Sequence, residues 1–540
     1  MKNHIRNRKY TTMKKLVLSF LVSFLVFFVV NSCNNLDLLP LDRVTAASFY
    51  TNTTDFDGAI FASYSSIQDL YGTSTEDLGE RGEFWKISLT ITDDLVADDD
   101  RGGADGPEVD ADRLVVRSSD RPYAAAYVQM YEGIVRANIV LEQLEVAEHN
   151  LSTEEVARYN GEAKFLRAWF HFQLMKMYGT PPLALEVNGD ISDQAKANSS
   201  QEDLYAAILS DFADAAATLP PSTADWGTAN TGRATGNAAI AYMGKVKVYQ
   251  KDYDGAIAEF EKVRAAYNLT SNYEDNFVYT TENNEESIFE IQYGSAGTDD
   301  NVWVFDDTHS ENFKASQGTF RGGLYDAGGG APGGQAGRAA PTQNLVDEYL
   351  QEAGDVRLGL NIYMTGDMYY HINQLTGGSP VPYVGLEGAP DNWSTTGYTI
   401  KKYRGERNIT PGNHSNNRKA DWNNERWYRA AEMKLLHAEA LIESNTNLGD
   451  AVSLINEIRI RAEIGPYTGA QDQVSLRAEM RHQKRLEMPF EPHRWADIVR
   501  WGIGDQVVLQ GPWDPKLMLF PFPQAEIDKS EGKLVQNTGY

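Results

Sequence analysis

A single cysteine, Cys33, constrains this 540-residue chain more than any other residue. With no second thiol there is no internal disulfide, so the core and the hydrogen bonds must hold the fold alone. Cys33 also closes an export leader. Lys2, Arg6, Arg8, Lys9, Lys14 and Lys15 come first with no acid among them; Leu16 to Val30 is apolar apart from Ser19 and Ser23; Asn31 and Ser32 then lead into the cysteine. This is the pattern of a secretory signal peptide cut at a cysteine that becomes acylated. Met13-Lys14-Lys15 reads as an equally good start. The competing reading is a membrane-spanning anchor, but the apolar run falls short of the roughly 20 residues a span needs. The expectation is therefore a signal peptide over residues 1–32, lipid attachment at Cys33, and one domain over residues 33–540 working outside the cytoplasm.

The formal charge is −27, and the leader carries six positive residues, so the remainder carries −27 − 6 = −33. A body that acidic repels nucleic acid and gains nothing from anionic head groups. It suits a neutral or cationic ligand and argues mildly against sulfated or uronate-rich polymers. The 10 Trp and 28 Tyr exceed what a core alone calls for, and exposed rings of these types mark binding surfaces.

Helical periodicity dominates residues 44–270 and 426–505. Residues 124–147 and 153–178 are Ala- and Leu-rich with apolar positions three and four apart. Thr153-Glu154-Glu155 suits a helix start, and Tyr178-Gly179-Thr180-Pro181-Pro182 a stop. Residues 237–266 read as a helix pair, with Gly244, Ala256 and Phe260 at tetratricopeptide spacings and Tyr249 and Tyr253 flanking the turn. Residues 428–463 repeat the rhythm, with Ala430, Ala431, Leu435, Ala438 and Ala440 before the turn and Ala451, Leu454, Ile455 and Ile458 after it. Two such pairs imply a helical-repeat scaffold, a mainly α fold. Residues 271–425 differ: Gly, Asn, Asp, Thr, Tyr and Trp dominate, and Ser287–Ile291 is the clearest strand. The glycine-rich stretch 318–337 has no Gly-Lys-Ser/Thr after it and is no phosphate loop.

Catalytic signatures are missing. There is no His-Glu-x-x-His and no Gly-x-Ser-x-Gly. With 76 acidic residues, the two carboxylates of a glycosidase cannot be singled out. Arg485, Glu487, Arg494, Asp497 and Arg500 could form a substrate clamp, but their spacing favours intrahelical and interhelical ion pairs. Asp93-Asp94 and Asp98-Asp99-Asp100 read as a solvated acidic loop. Asp98 and Asp100 make a weak calcium candidate that lacks the later ligands of a calcium loop; otherwise no cofactor and no metal is expected.

The helical blocks carry a motif series: Leu36-Asp37-Leu38-Leu39-Pro40 after the cysteine, Tyr131-x-x-Ile134-x-Arg136-Ala137-Asn138, Glu162 to Ala168, Gly232-Arg233-Ala234-Thr235, Asn456 to Ala462, Arg485-Leu486-Glu487, Arg494 to Gly502, Phe520-Pro521-Phe522-Pro523 and Gln536 to Tyr540. In this order they resemble the SusD/RagB family of outer-membrane, glycan-binding lipoproteins. Thr180-Pro181 departs from the family, which usually has a hydrophobic residue before the proline. The resemblance implies a tetratricopeptide-like scaffold whose irregular segments, about 271–425, carry the ligand site. It implies a non-catalytic, surface-exposed lipoprotein of the outer membrane that binds oligo- or polysaccharide and delivers it to a SusC-like TonB-dependent transporter. The alternative is a lipid-anchored tetratricopeptide-type adaptor whose only ligands are proteins.

Sugar rings stack on aromatic faces while amides and carboxylates take their hydroxyls. The platform candidates in irregular sequence are Tyr71, Trp85, Trp303, Tyr325, Tyr383 and Trp393, and for each the competing role is ordinary burial. Trp85 and Trp303 rank first: Trp85 precedes the Asp93-Asp94 pair, and Trp303 follows Asp299-Asp300-Asn301-Val302. Trp226, Trp422 and Trp427 lie near helices and read as core.

Overall fold

The structure is a computed structural model describing residues 49–71, 84–97, 106–187, 196–293, 339–369, 381–383, 394–403, 423–508 and 511–540. Its principal helices are α1 (Thr53–Tyr71), α2 (Phe84–Ser88), α3 (Arg121–Val146), α4 (Thr153–Tyr178), α5 (Gln201–Thr218), α6 (Gly236–Gln250) and α7 (Tyr253–Val263), followed by the short α8 (Gln343–Tyr349) and α9 (Val356–Asn361), then α10 (Ala430–Glu443), α11 (Leu448–Arg461), α12 (Gln473–Glu487) and α13 (Arg494–Trp501). Each long helix packs on the next: α1 on α3, then α3, α4, α5, α6 and α7 in turn, with α7 on α10 and α10 on α11 and α12. The two helical blocks thus form one continuous stack, joined where α7 meets α10. No helix among the described residues is long and apolar enough to cross a membrane.

Local chemistry sets the ends. At α4 the Ser152 hydroxyl accepts from Glu155 N at 3.2 Å while the Glu155 carboxylate accepts from Ser152 N at 2.8 Å, a closed capping box. Gly179 ends the same helix at φ 79, where an added Cβ would sit 2.7 Å from Leu519. The α6–α7 pair turns through Lys251 at φ 63, and the Asp252 carboxylate accepts from Gly255 N at 3.0 Å to start α7. At the crossing, a Cβ on Gly244 would lie 2.4 Å from the Phe260 ring, so only glycine admits that approach.

The strands β1 (Leu95–Ala97), β2 (Ser287–Ile291), β3 (Ala339–Pro341), β4 (Ile362–Tyr363), β5 (Met368–Tyr369), β6 (Val381–Pro382), β7 (Thr399–Ile400) and β8 (Glu425–Arg429) pair antiparallel as β1–β3, β2–β8, β4–β7 and β5–β6. The β2–β8 ribbon lies against the stack. Phe289 packs on Phe165 at 5.0 Å, Tyr428 on Tyr242 at 5.0 Å and Trp427 on Trp169 at 4.8 Å. Much of the aromatic content is thus core, including Trp427 and Trp226, at 2% and 7% exposure. Trp422 lies outside the described residues. The closing Phe-Pro-Phe-Pro motif seals the end of α4: Phe520 N donates to Met177 O at 2.7 Å, and Asn537 Nδ2 donates to the Tyr178 and Phe520 carbonyls.

The described residues within 271–425 are held to the stack by buried charge. Arg429 donates to Glu286 at 2.7 Å, to Glu487 at 2.6 Å and to Glu491 at 2.8 Å. Arg461 pairs with Glu286 and Glu487, Arg357 with Asp355 and Glu487, and Lys402 with Glu491. Four cations thus meet four carboxylates, all buried apart from a partly covered Arg461. Burial alone would push the Glu487 carboxyl up, but Arg461, Arg429 and Arg357 outweigh it and hold it at about 2.

Candidate functional site

Most of the platform candidates lie in or beside segments outside the described residues, and described residues at the ends of several of those segments are bonded together. Residue 71 ends α1, and Phe84 opens α2 with its ring 5.4 Å from that of Trp427. Near the end of α1, Gln68 Nε2 donates to Gln292 O at 2.5 Å, and the Tyr293 hydroxyl donates to Gln68 O at 3.1 Å. Tyr293 N donates to Asn424 Oδ1 at 2.6 Å; Asn424 Nδ2 reaches Glu290 at 2.8 Å and Gln292 at 3.0 Å. Asn283 and Gln292 exchange two amide bonds, each 2.9 Å. One polar knot therefore gathers the roots of segments 72–83, 294–338 and 404–422.

The strand pair β1–β3 roots the rest. Ala97 faces Ala339 in its register, so segment 98–105 and the far end of 294–338 leave from the same point. Thr342 ties this pair to the preceding turn, N to Asp94 O at 3.0 Å and Oγ1 to Asp93 O at 2.8 Å. Below it, Arg494 clasps Asp93 with bonds of 2.8 and 2.6 Å, and Arg485 Nε donates to Asp94 at 2.8 Å.

This arrangement corrects one expectation. Asp93 and Asp94 are no solvated acidic loop; they are 3% and 2% exposed and serve as counter-ions. Burial raises both carboxyls, yet Arg494 and Arg485 together bring Asp93 below its ordinary value, while Asp94, facing the Asp93 charge as well, stays above it. The Arg485–Arg500 cluster consists of ion pairs, as read, but only Asp497–Arg500 follows helical spacing. The others reach across the fold: Glu487 to Arg429, Lys484 to Asp497 at 2.9 Å, and Arg500 to Glu439. The cavity among Asp94, Lys484, Arg485, Met488, Arg494 and Asp497 measures about 10 Å³. That is room for roughly one water and not for a sugar ring.

Of the platform candidates, the structure describes one ring. Tyr383 is 1% exposed, packed against Tyr363 at 5.9 Å, with its hydroxyl 2.9 Å from Thr399 Oγ1. Its faces are covered by Tyr363 and Tyr369, so the open platform expected there is replaced by a packed tyrosine trio. Trp85 falls on α2 and Tyr71 on the last residue of α1, their side chains outside the described residues. Trp303, Tyr325, Trp393, the calcium candidates Asp98 and Asp100, and Cys33 also lie outside them. Sequence reasoning missed the root residues Gln68, Asn283, Gln292 and Asn424. Their partners stand up to 225 residues away, and amides in irregular sequence carry no local signal.

A helical-repeat stack that holds the described ends of its irregular segments together through buried polar contacts defines a helical-repeat scaffold protein. Two family models match, one described as the SusD family over residues 285–540 and one as starch-binding, associating with the outer membrane, over residues 73–248. The chain belongs to the SusD/RagB family. It is 25% identical to the SusD-like protein P2 of Formosa agariphila, over 98% of this chain and all of that one. It is 24% identical to the starch-binding protein SusD of Bacteroides thetaiotaomicron, over 98% and 99%. A SusD superfamily protein of Bacteroides vulgatus superposes with a TM-score of 0.72 at 26% identity, covering 90% of this chain and 99% of that one. A laminarin-binding SusD-like protein gives the same TM-score at 22% identity, over 91% and 100%, a likeness of fold.

Proposed function

We propose that the chain is a lipid-anchored, surface-exposed glycan-capture protein of the outer membrane, non-catalytic, that passes oligosaccharide to a SusC-like TonB-dependent transporter. The observation that carries this reading is that Gln68, Tyr293 and Asn424, the described residues beside the aromatic- and polar-rich segments, are bonded into one knot on a scaffold of this family. Relatives named for binding starch and laminarin support the ligand class. Acylation of Cys33 supplies the anchor, each buried methylene contributing about 0.8 kcal/mol.

Trp85 and Trp303 are the proposed stacking rings for a neutral oligosaccharide several units long. A ring that buries roughly 80–100 Å² of sugar contributes about 2 kcal/mol. Two or three rings, less the ordering cost, place Kd between roughly micromolar and millimolar. Trp85→Ala and Trp303→Ala are each expected to weaken binding about tenfold, at unchanged melting temperature. Calorimetry with maltooligosaccharides and laminarin oligosaccharides, after a glycan array, measures this. A folded protein that retains no glycan on the array overturns the reading; a variant that melts early and binds normally assigns that ring to the core.

Delivery predicts a complex. Extraction of the native membrane in mild detergent is expected to bring down one barrel-sized partner with this chain, and Cys33→Ala to release the chain from the membrane fraction. Recovery of the protein alone, where other membrane complexes survive, would leave a free-standing binder.

A further inference from the structure

Where α7 meets α10 and α11, three donor groups converge. Glu261 comes from α7, His437 from α10 and Asp450 from α11, and one ligand atom of each lies within 4.8 Å of the other two. His437 is 2% exposed, its Nε2 has no hydrogen-bond partner, and that atom stands 3.4 Å from a Glu261 oxygen. A buried imidazole nitrogen with nothing to bond is costly, and this one points at two carboxylates. We propose that Glu261, His437 and Asp450 form a binding site for a late first-row divalent cation, Zn²⁺ by its donor set, which ties α7 to α10 and α11.

The geometry fits that class. Ligands about 2.0–2.1 Å from a tetrahedral zinc stand roughly 3.4 Å apart, the separation His437 and Glu261 already show. One imidazole and two carboxylates suit zinc or its neighbours; calcium takes six or more oxygens and no imidazole. The Phe260 ring, 5.5 Å from the imidazole, backs it on one side.

Arg264 is the remaining neighbour. It donates to both Asp450 oxygens, at 2.7 and 2.8 Å, and to Glu261 at 3.4 Å. It therefore presents Asp450 in a fixed orientation while each carboxylate oxygen keeps a second lone pair. Two carboxylates, one guanidinium and one dication leave a net charge of +1, against −1 without the metal. Glu261 is half exposed and free to swing the short distance that closes the site. The site would act as a removable staple at the junction of the two helical blocks, the place where the stack depends on contacts between residues far apart in sequence.

The test uses the full chain in detergent, stripped with EDTA and titrated with Co²⁺ alone, then with Zn²⁺ alone. One equivalent of Co²⁺ is expected to give the visible bands of a tetrahedral site, displaced by Zn²⁺, and Zn²⁺ is expected to raise the melting temperature. Glu261→Gln sits on an exposed residue and leaves the fold intact; it is expected to weaken uptake at least tenfold and abolish both signals. His437→Gln is expected to do the same. Wild-type protein with no saturable Co²⁺ uptake overturns the proposal, as does a Glu261→Gln variant with unchanged stoichiometry and bands, which would move the metal to another site.

Discussion

Arg429→Ala is expected to leave little folded protein, and what folds should unfold at a much lower urea concentration. Arg429 is fully buried and lies on the last residue of β8, immediately before α10. Its guanidinium is the common partner of Glu286, Glu487 and Glu491, and it also donates to the Glu487 carbonyl at 2.7 Å. Without it, the octet of four cations and four carboxylates keeps three cations, and the three carboxylates crowd a site with no water to screen them. Removing one partner of a buried ion pair costs about 3–5 kcal/mol, and this removal takes a cation from three carboxylates at once, leaving Glu286 and Glu487 to Arg461 and Arg357 and Glu491 to Lys402. A whole domain has roughly 5–15 kcal/mol in reserve. Arg429→Lys keeps the charge but loses the fork and should fall between. Lys529→Ala is the contrast. Its ammonium pairs with Glu526 at 2.7 Å but is 71% exposed, and its loss should shift the midpoint by less than about 1 kcal/mol. Equal midpoints for Arg429→Ala and Lys529→Ala would show that the octet does not hold the irregular segment to the stack.

The second large effect is with pH. His171 sits inside α4, fully wrapped, with Nδ1 bonded to Arg167 O at 2.9 Å and Nε2 accepting from Ala184 N at 3.2 Å. Burial, the leading cause, pushes its pKa down to about 3. A proton on Nε2 would face the Ala184 N–H, donor against donor. His493, also buried, is pushed well below its usual value, again chiefly by burial. The folded pKa is depressed, so below the ordinary value of 6.5 the unfolded chain binds a proton that the folded chain refuses. Stability from these groups is fully present above pH 6.5 and is lost as pH falls below it, for His171 down to about 3, with a limiting slope of about 1.4 kcal/mol per pH unit for a single group. Below about pH 4.5 a further loss begins, because Glu487 stays ionised in the fold down to about 2. Urea midpoints should hold from pH 7.5 to about 6.5 and decline from there to 4.5, and His171→Leu should flatten part of that decline whatever it does to stability at pH 7.5. A variant with an unchanged slope would remove His171 from the account.

Some of this architecture was legible in the residues themselves. The limits of α4, its capping box and its closing glycine come from neighbours a few positions apart, and so does the turn between α6 and α7. Gly244 and Phe260 already read as a helix crossing. Such signals are local: backbone groups at a helix end must find partners within a turn or so, and an apolar stripe repeats every three or four residues. The family, too, could be read from short motifs in order.

Pairing across the chain was not readable. Asp93 and Asp94 look like a charged loop until Arg494 and Arg485, about 400 positions on, are brought beneath them. Tyr383 looks like an open platform until Tyr363 and Tyr369 fold against it. Asn424 and Gln292 are ordinary amides in sequence and become the knot at the root of the loops. His437 is one of nine histidines until α7 and α11 set two carboxylates before it. Whether a charged or aromatic side chain is buried, and against what, depends on which distant surfaces meet. In this protein the sequence alone determined the elements and the family, while tertiary packing decided which polar residues became part of the core, because the cost of burying charge is met only by partners that folding brings into reach.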